Sequence, residues 1–92
     1  MSTRVDGARG ALPRIAPSAR KHGVPDEDLH YAYKHPLAEQ GLDEDRTLLV
    51  GTDRAGSHLL ELVVLNSRVD PVVIHGMRAR PRIVEQVRGG RT

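Results

Sequence analysis

The chain has no phenylalanine, tryptophan or cysteine, and its only aromatic residues are Tyr31 and Tyr33. Its core must therefore be built from aliphatic side chains, 10 Leu, 10 Val and 3 Ile among 92 residues. A chain of this length forms one domain and buries about 60–65% of the surface its unfolded form exposes, so that core is thin. Branched aliphatics in this proportion fit a small sheet with helices laid on it. The same deficits remove whole classes of function. Without cysteine there is no disulfide framework, no thiolate zinc site and no cysteine nucleophile. Two tyrosines do not make a base-stacking platform of the RNA-recognition or OB-fold kind.

The net charge is only +2, but it is segregated. Residues 1–22 carry +4, residues 23–45 carry −6, residues 46–70 carry 0 and residues 71–92 carry +4. Twelve of the fourteen cations are arginine. Two basic ends around an acidic middle attract phosphate backbones or an acidic protein if the ends fold together. Arg4 is followed by no apolar leader core. The longest apolar run, Leu62-Val63-Val64-Leu65, is far short of the ~20 residues that span a bilayer. A cytoplasmic bacterial protein with no membrane partner is expected.

Residues 1–13 are rich in Gly, Ala and Arg without periodicity and read as a flexible tail. One domain is expected over residues 14–88, followed by a short tail over 89–92. Ile15 to Gly23 reads as a first helix, with Pro17 in its opening turn and Gly23 at its left-handed end. The clearest helix runs from Asp26 to Lys34. Asp26, Glu27 and Asp28 match the positive end of its dipole, Lys34 and His35 the negative end, and Pro36 stops it. Leu29, Ala32 and Tyr33 form its buried stripe.

Leu37 to Gln40 reads as a short edge strand. Three stronger strands follow: Arg46 to Gly51, His58 to Leu65, and Val72 to His75. Asp53 to Ser57 is a turn between the first two. The second run is apolar on both faces except for Glu61, which makes it central. Pro81 opens a last short helix striped by Ile83, Val84 and Val87. The expectation is an α+β domain: a small antiparallel sheet of three to four strands, two N-terminal helices and a short C-terminal helix.

Five histidines are present, and none forms an i, i+4 pair on a helix, so no metal site and no cofactor is expected. His75 ends a strand just before an arginine series and is the best placed for acid–base work. Arg78, Arg80 and Arg82 alternate into a helix start, and alternation in an extended segment puts all three on one side. Guanidinium forks match phosphate oxygens. Arg20 and Lys21 form a second basic cluster. Metal-free RNA cleavage needs a base for the 2′-hydroxyl, cations for the phosphorane and an acid for the leaving oxygen, all within the reach of Lys, Arg and His.

Lys21-His22-Gly23-Val24, the acidic helix, Pro36-Leu37, Arg46 leading into Leu-Leu-Val-Gly, Asp53-Arg54-Ala55-Gly56 and Val73-Ile74-His75 before an arginine-rich run follow one another in a telling order. Over about residues 14–85 this order resembles the BrnT-like toxins, ribonucleases of bacterial type II toxin–antitoxin modules with a RelE-like fold. The resemblance implies RNA as substrate and a cognate antitoxin as partner. The family's lysine falls on Lys21, with His22 beside it, and the arginine that opens its first long strand falls on Arg46. Joined to the reading of strand position and spacing, this gives Lys21, Arg46, Arg78 and His75 as the expected catalytic groups, and Arg20, His22, Arg80 and Arg82 as the expected RNA-phosphate contacts. The family's strand-end arginine falls on Met77, with Arg78 beside it, and its C-terminal Arg-Arg-Glu becomes Arg80-Pro81-Arg82. Those departures keep two other readings open. One is an inactive toxin-fold module that homodimerises through the His58–Leu65 strand. The other is a basic nucleic-acid-binding accessory protein.

Overall fold

Seven consecutive strand residues with branched aliphatics on both sides must be covered on both sides, and this places Leu59–Leu65 in the middle of the sheet. The computed structural model describes residues 12–66 and 68–89. In chain order it comprises Arg14–Ile15 (β1), a single 3-10 turn at Pro17–Arg20, Asp26–Lys34 (α1), Ala38–Gly41 (β2), Arg46–Thr52 (β3), Leu59–Leu65 (β4), Val72–Arg78 (β5) and Pro81–Gly89 (α2). The strands form one sheet in the order β1-β5-β4-β3-β2. β2 to β5 pair antiparallel with their sequence neighbours, and β1 pairs parallel with β5. The fold is α+β.

One face of the sheet carries the core. Leu49 of β3 lies opposite Leu62 of β4, flanked by Leu60 and Val64. These residues and Val73 of β5 pack under Leu29, Ala32 and Tyr33, the predicted stripe of α1. Each is at most 3% exposed, so the aliphatic core closes without any Phe or Trp. Two glycines set the packing distance. A Cβ on Gly51 would lie 2.9 Å from the carbonyl oxygen of Ala32, and one on Gly76 would lie 2.6 Å from a methyl of Leu29. The helix layer rests on bare backbone at both positions.

Two expectations are corrected. The sheet is five-stranded and mixed, because Arg14 and Ile15 add to the edge of β5 opposite Val72 and Val73. The Arg14 N–H donates to the Pro71 carbonyl at 3.2 Å, and the Ala16 N–H donates to the Val73 carbonyl at 2.9 Å. The expected first helix is only the 3-10 turn. Between Pro17, which cannot donate, and Gly23 there are too few residues to offset helix nucleation, and the open edge of β5 offers partners at once. One helix, not two, therefore precedes the main strands. The expected tail lies outside the described residues up to position 11, and Pro13 just beyond is buried. At the other end, α2 runs to Gly89, and residues 90–92 lie outside the described part.

β5 contains a bulge. His75 lies opposite Val63 and Val73 opposite Val64, so Ile74 is the extra residue. In a regular strand Val73 and His75 would share a face. The bulge separates them, so Val73 enters the core while His75 joins Glu61 on the opposite face. The Ile74 carbonyl accepts the Ser18 hydroxyl at 2.6 Å, which ties the 3-10 turn to the bulge.

Candidate functional site

Glu61 sits in the centre of β4 with 1% of its surface exposed, and it is the only buried charged residue among the described ones. Such a carboxylate must be hydrogen-bonded. It accepts from the Arg80 side chain at 3.1 Å (Nε) and 2.7 Å (Nη2), from the Arg80 backbone N–H at 3.0 Å, and from His75 Nε2 at 3.0 Å. Burial pushes the Glu61 carboxyl up, but the Arg80 and His75 hydrogen bonds and the Arg80 charge together hold it below its ordinary value. An ionised carboxylate only accepts, so His75 Nε2 carries the proton in this bond, and in the neutral imidazole Nδ1 then keeps its lone pair. β4, β5 and the entry to α2 thus each contribute one member of a Glu61–His75–Arg80 cluster.

The cluster lies in a groove of about 640 Å³ between the open face of the sheet and α2. Leu48, Val63 and Ile83 form its apolar walls, with Arg46 and Arg82 among its polar lining. The cations are not equivalent. Arg46 is held by Asp43 at 2.7 Å and Arg80 by Glu61, whereas Arg82 makes no ion pair among the described residues. The Asp43 carboxyl lies below its ordinary value, chiefly through the hydrogen bond from the Arg46 side chain. No three His, Asp or Glu side chains among the described residues converge as a metal site.

Of the eight residues singled out in the sequence, His75, Arg46, Arg80 and Arg82 share this groove. The other four lie outside it. Arg78 pairs with Leu60 on the helix side of the sheet. It lines a second recess of about 410 Å³ together with His22, Asp28, Asp53 and His58. The expected alternation of Arg78, Arg80 and Arg82 on one side is broken because the strand ends at Arg78 and the chain turns into α2. Arg20 forks Asp26 at 3.1 and 2.9 Å. Lys21 is exposed and lines neither groove. The two regions meet at one point, where the His22 and His75 rings lie edge to face with centroids 5.9 Å apart.

Sequence reasoning passed over Glu61 as a site residue, although its signal was present as the one charged residue in a run otherwise apolar on both faces. Gln40 of β2 and Gln86 of α2 also line the groove, and neither carries a signal in the sequence.

The turn bearing His22 is held by Gly23, whose φ is +77° and whose N–H donates to the Arg20 carbonyl at 3.1 Å. A Cβ there would meet nothing within 4 Å, so substitution costs backbone strain only. Gly23→Ala is expected to destabilise the domain by about 1 kcal/mol. In thermal melts this appears as a drop in Tm of about 4–8 °C.

No protein family, curated protein or solved structure matches the chain.

Proposed function

We propose that this protein is a metal-independent endoribonuclease of the BrnT-like kind, with a RelE-like fold, neutralised by a cognate antitoxin that covers the groove. The observation that carries this reading is the imidazole of His75, oriented by a buried carboxylate in a groove lined by three arginines. A five-stranded sheet with its main helix on one face supports the fold assignment.

In this reading a single RNA strand enters the groove with its scissile phosphate near His75. Nδ1 takes the proton of the 2′-hydroxyl, and Glu61 steadies the imidazolium that results. Arg82, which makes no ion pair among the described residues, and the unused donors of Arg80 and Arg46 stabilise the charge that builds on phosphorus. Lys21 and Arg20 stand outside the groove and hold the RNA backbone beyond the scissile link.

The test is cleavage of a labelled single-stranded RNA by purified protein in excess EDTA. Fragments ending in 2′,3′-cyclic phosphate are expected, at a rate that EDTA leaves unchanged. His75→Ala is expected to slow cleavage about 10³-fold, and Arg82→Ala about 10–10²-fold. Intact RNA after prolonged incubation, or equal rates for wild type and His75→Ala, overturns the proposal.

A further inference from the structure

The nuclease reading requires two proton transfers at one phosphate, and the groove supplies a single free imidazole nitrogen. His75 Nε2 is engaged by Glu61, so only Nδ1 is left for the reaction. One nitrogen cannot accept the 2′-hydroxyl proton and deliver a proton to the leaving 5′-oxygen in the same displacement. Glu61 cannot serve, because all four of its contacts are donors from Arg80 and His75. Arginine and lysine stabilise charge but are poor acids near neutrality, where imidazole both holds and releases protons.

His22 is the imidazole in reach. Its ring lies edge to face with His75 at 5.9 Å between centroids. It is exposed and makes no hydrogen bond among the described residues, which leaves both ring nitrogens available. Its backbone is nevertheless well restrained. The preceding 3-10 turn is pinned by Ser18 to the bulge carbonyl of Ile74 at 2.6 Å, by the burial of Ala19, and by the fork between Arg20 and Asp26. The bulge that turns His75 onto the open face thus also anchors the turn that presents His22. The charged groups lining the recess with it are Arg78, Asp28, Asp53 and His58. Asp28 is occupied by Arg54 at 2.7 Å and Asp53 by His58 at 3.1 Å, so neither carboxylate competes for His22.

We infer that His22 is a catalytic residue of the same site, the general acid that protonates the leaving 5′-oxygen while His75 acts as base. This rests on the nuclease reading above. In the step, the 2′-hydroxyl proton passes to His75 Nδ1 and the O2′–P bond forms. The P–O5′ bond breaks, and its oxygen takes a proton from the His22 imidazolium. The products are a 2′,3′-cyclic phosphate and a 5′-hydroxyl, with His22 neutral and His75 protonated. Exchange of a proton with solvent resets the pair.

The assignment is tested with two oligonucleotides, each carrying one cleavable ribonucleotide. One has the ordinary bridging 5′-oxygen at the scissile link and the other has sulfur there. A thiolate leaves without protonation, so the sulfur substrate does not need the acid. His22→Ala is expected to slow the oxygen substrate about 10²–10³-fold and the sulfur substrate less than about threefold. His75→Ala is expected to slow both. His22→Gln, which keeps a polar side chain that cannot act as an acid, should behave as His22→Ala. Equal slowing of both substrates by the His22 variants, or of neither, overturns the assignment and leaves the nuclease reading standing. If the wild-type protein cleaves neither substrate, the nuclease reading falls and the His22 role falls with it.

Discussion

Glu61→Ala should destabilise the domain by about 2–3 kcal/mol, lowering Tm by about 10–20 °C. The substitution removes four hydrogen bonds to one carboxylate and leaves a void in the central strand. The loss stays below that of a fully buried ion pair because Arg80 is 53% exposed and can turn its charge to water. Glu61→Gln keeps the volume but aims an amide NH₂ at the donors of Arg80 and His75, so an intermediate loss is expected. The effect depends on pH. The folded-state Glu61 carboxyl lies below its ordinary value, so its contribution is complete above the ordinary carboxylate range and is lost as the pH falls through the lowered value. The Tm gap between wild type and Glu61→Ala should therefore be widest near neutrality and should close in strong acid. Asp26, Asp28 and Asp43 are also held below their ordinary values, first by hydrogen bonds from Arg20, Arg54 and Arg46, so the wild-type domain itself weakens in acid. Melts of the variants across a pH series check all of this. A wild-type-like Tm for Glu61→Ala at neutral pH would show that the cluster does not hold α2 to the sheet.

The contrast between what was legible in the sequence and what was not follows the range of the interactions. Helix α1 spans Asp26–Lys34, the limits set by its acidic first turn, cationic last turn and Pro36. These are local signals, as are the aliphatic runs that became β3 and β4. β1 was not legible, because two residues gain strand structure only from the edge of β5, 58 positions away. The bulge was not legible either. A Val-Val-Ile-His run reads equally well in either register, and what places Val73 rather than Ile74 in the core is the fit to β4 and to the Ser18 turn. The candidate site was half visible. His75 stood out by its position before the arginines, but the partner that orients it lies on a neighbouring strand, and no spacing rule connects Glu61 to His75 and Arg80. The alternation of Arg78, Arg80 and Arg82 puts them on one side only if the segment stays extended, and the end of β5 at Arg78 splits them.

Gly51→Val should have the larger effect on the fold, and the reason lies in which atom would have to move. By distance alone Gly76 is the tighter site, at 2.6 Å from Leu29 Cδ2 against 2.9 Å from the Ala32 oxygen for Gly51. The Leu29 methyl ends a side chain that can change rotamer, so Gly76→Ala can be absorbed locally. The atoms facing Gly51 are the backbone oxygen and Cα of Ala32 and its Cβ at 3.1 Å. They move only if α1 moves, and α1 carries Leu29, Ala32 and Tyr33, a third of the core cluster. Overpacking of this kind costs about 1–3 kcal/mol per site, and more where backbone must yield. Valine adds two further carbons to that Cβ, so a loss of about 3 kcal/mol or more is expected, a large share of the ~5–14 kcal/mol available to a chain this size. The order of Tm should be wild type, then Gly76→Ala, then Gly51→Ala, then Gly51→Val. Adding Ala32→Gly to Gly51→Val removes only the Cβ contact and leaves the closer carbonyl oxygen, so it should restore little. A Gly76→Ala variant less stable than Gly51→Ala would mean that Leu29, rather than the helix backbone, is the rigid element of this core.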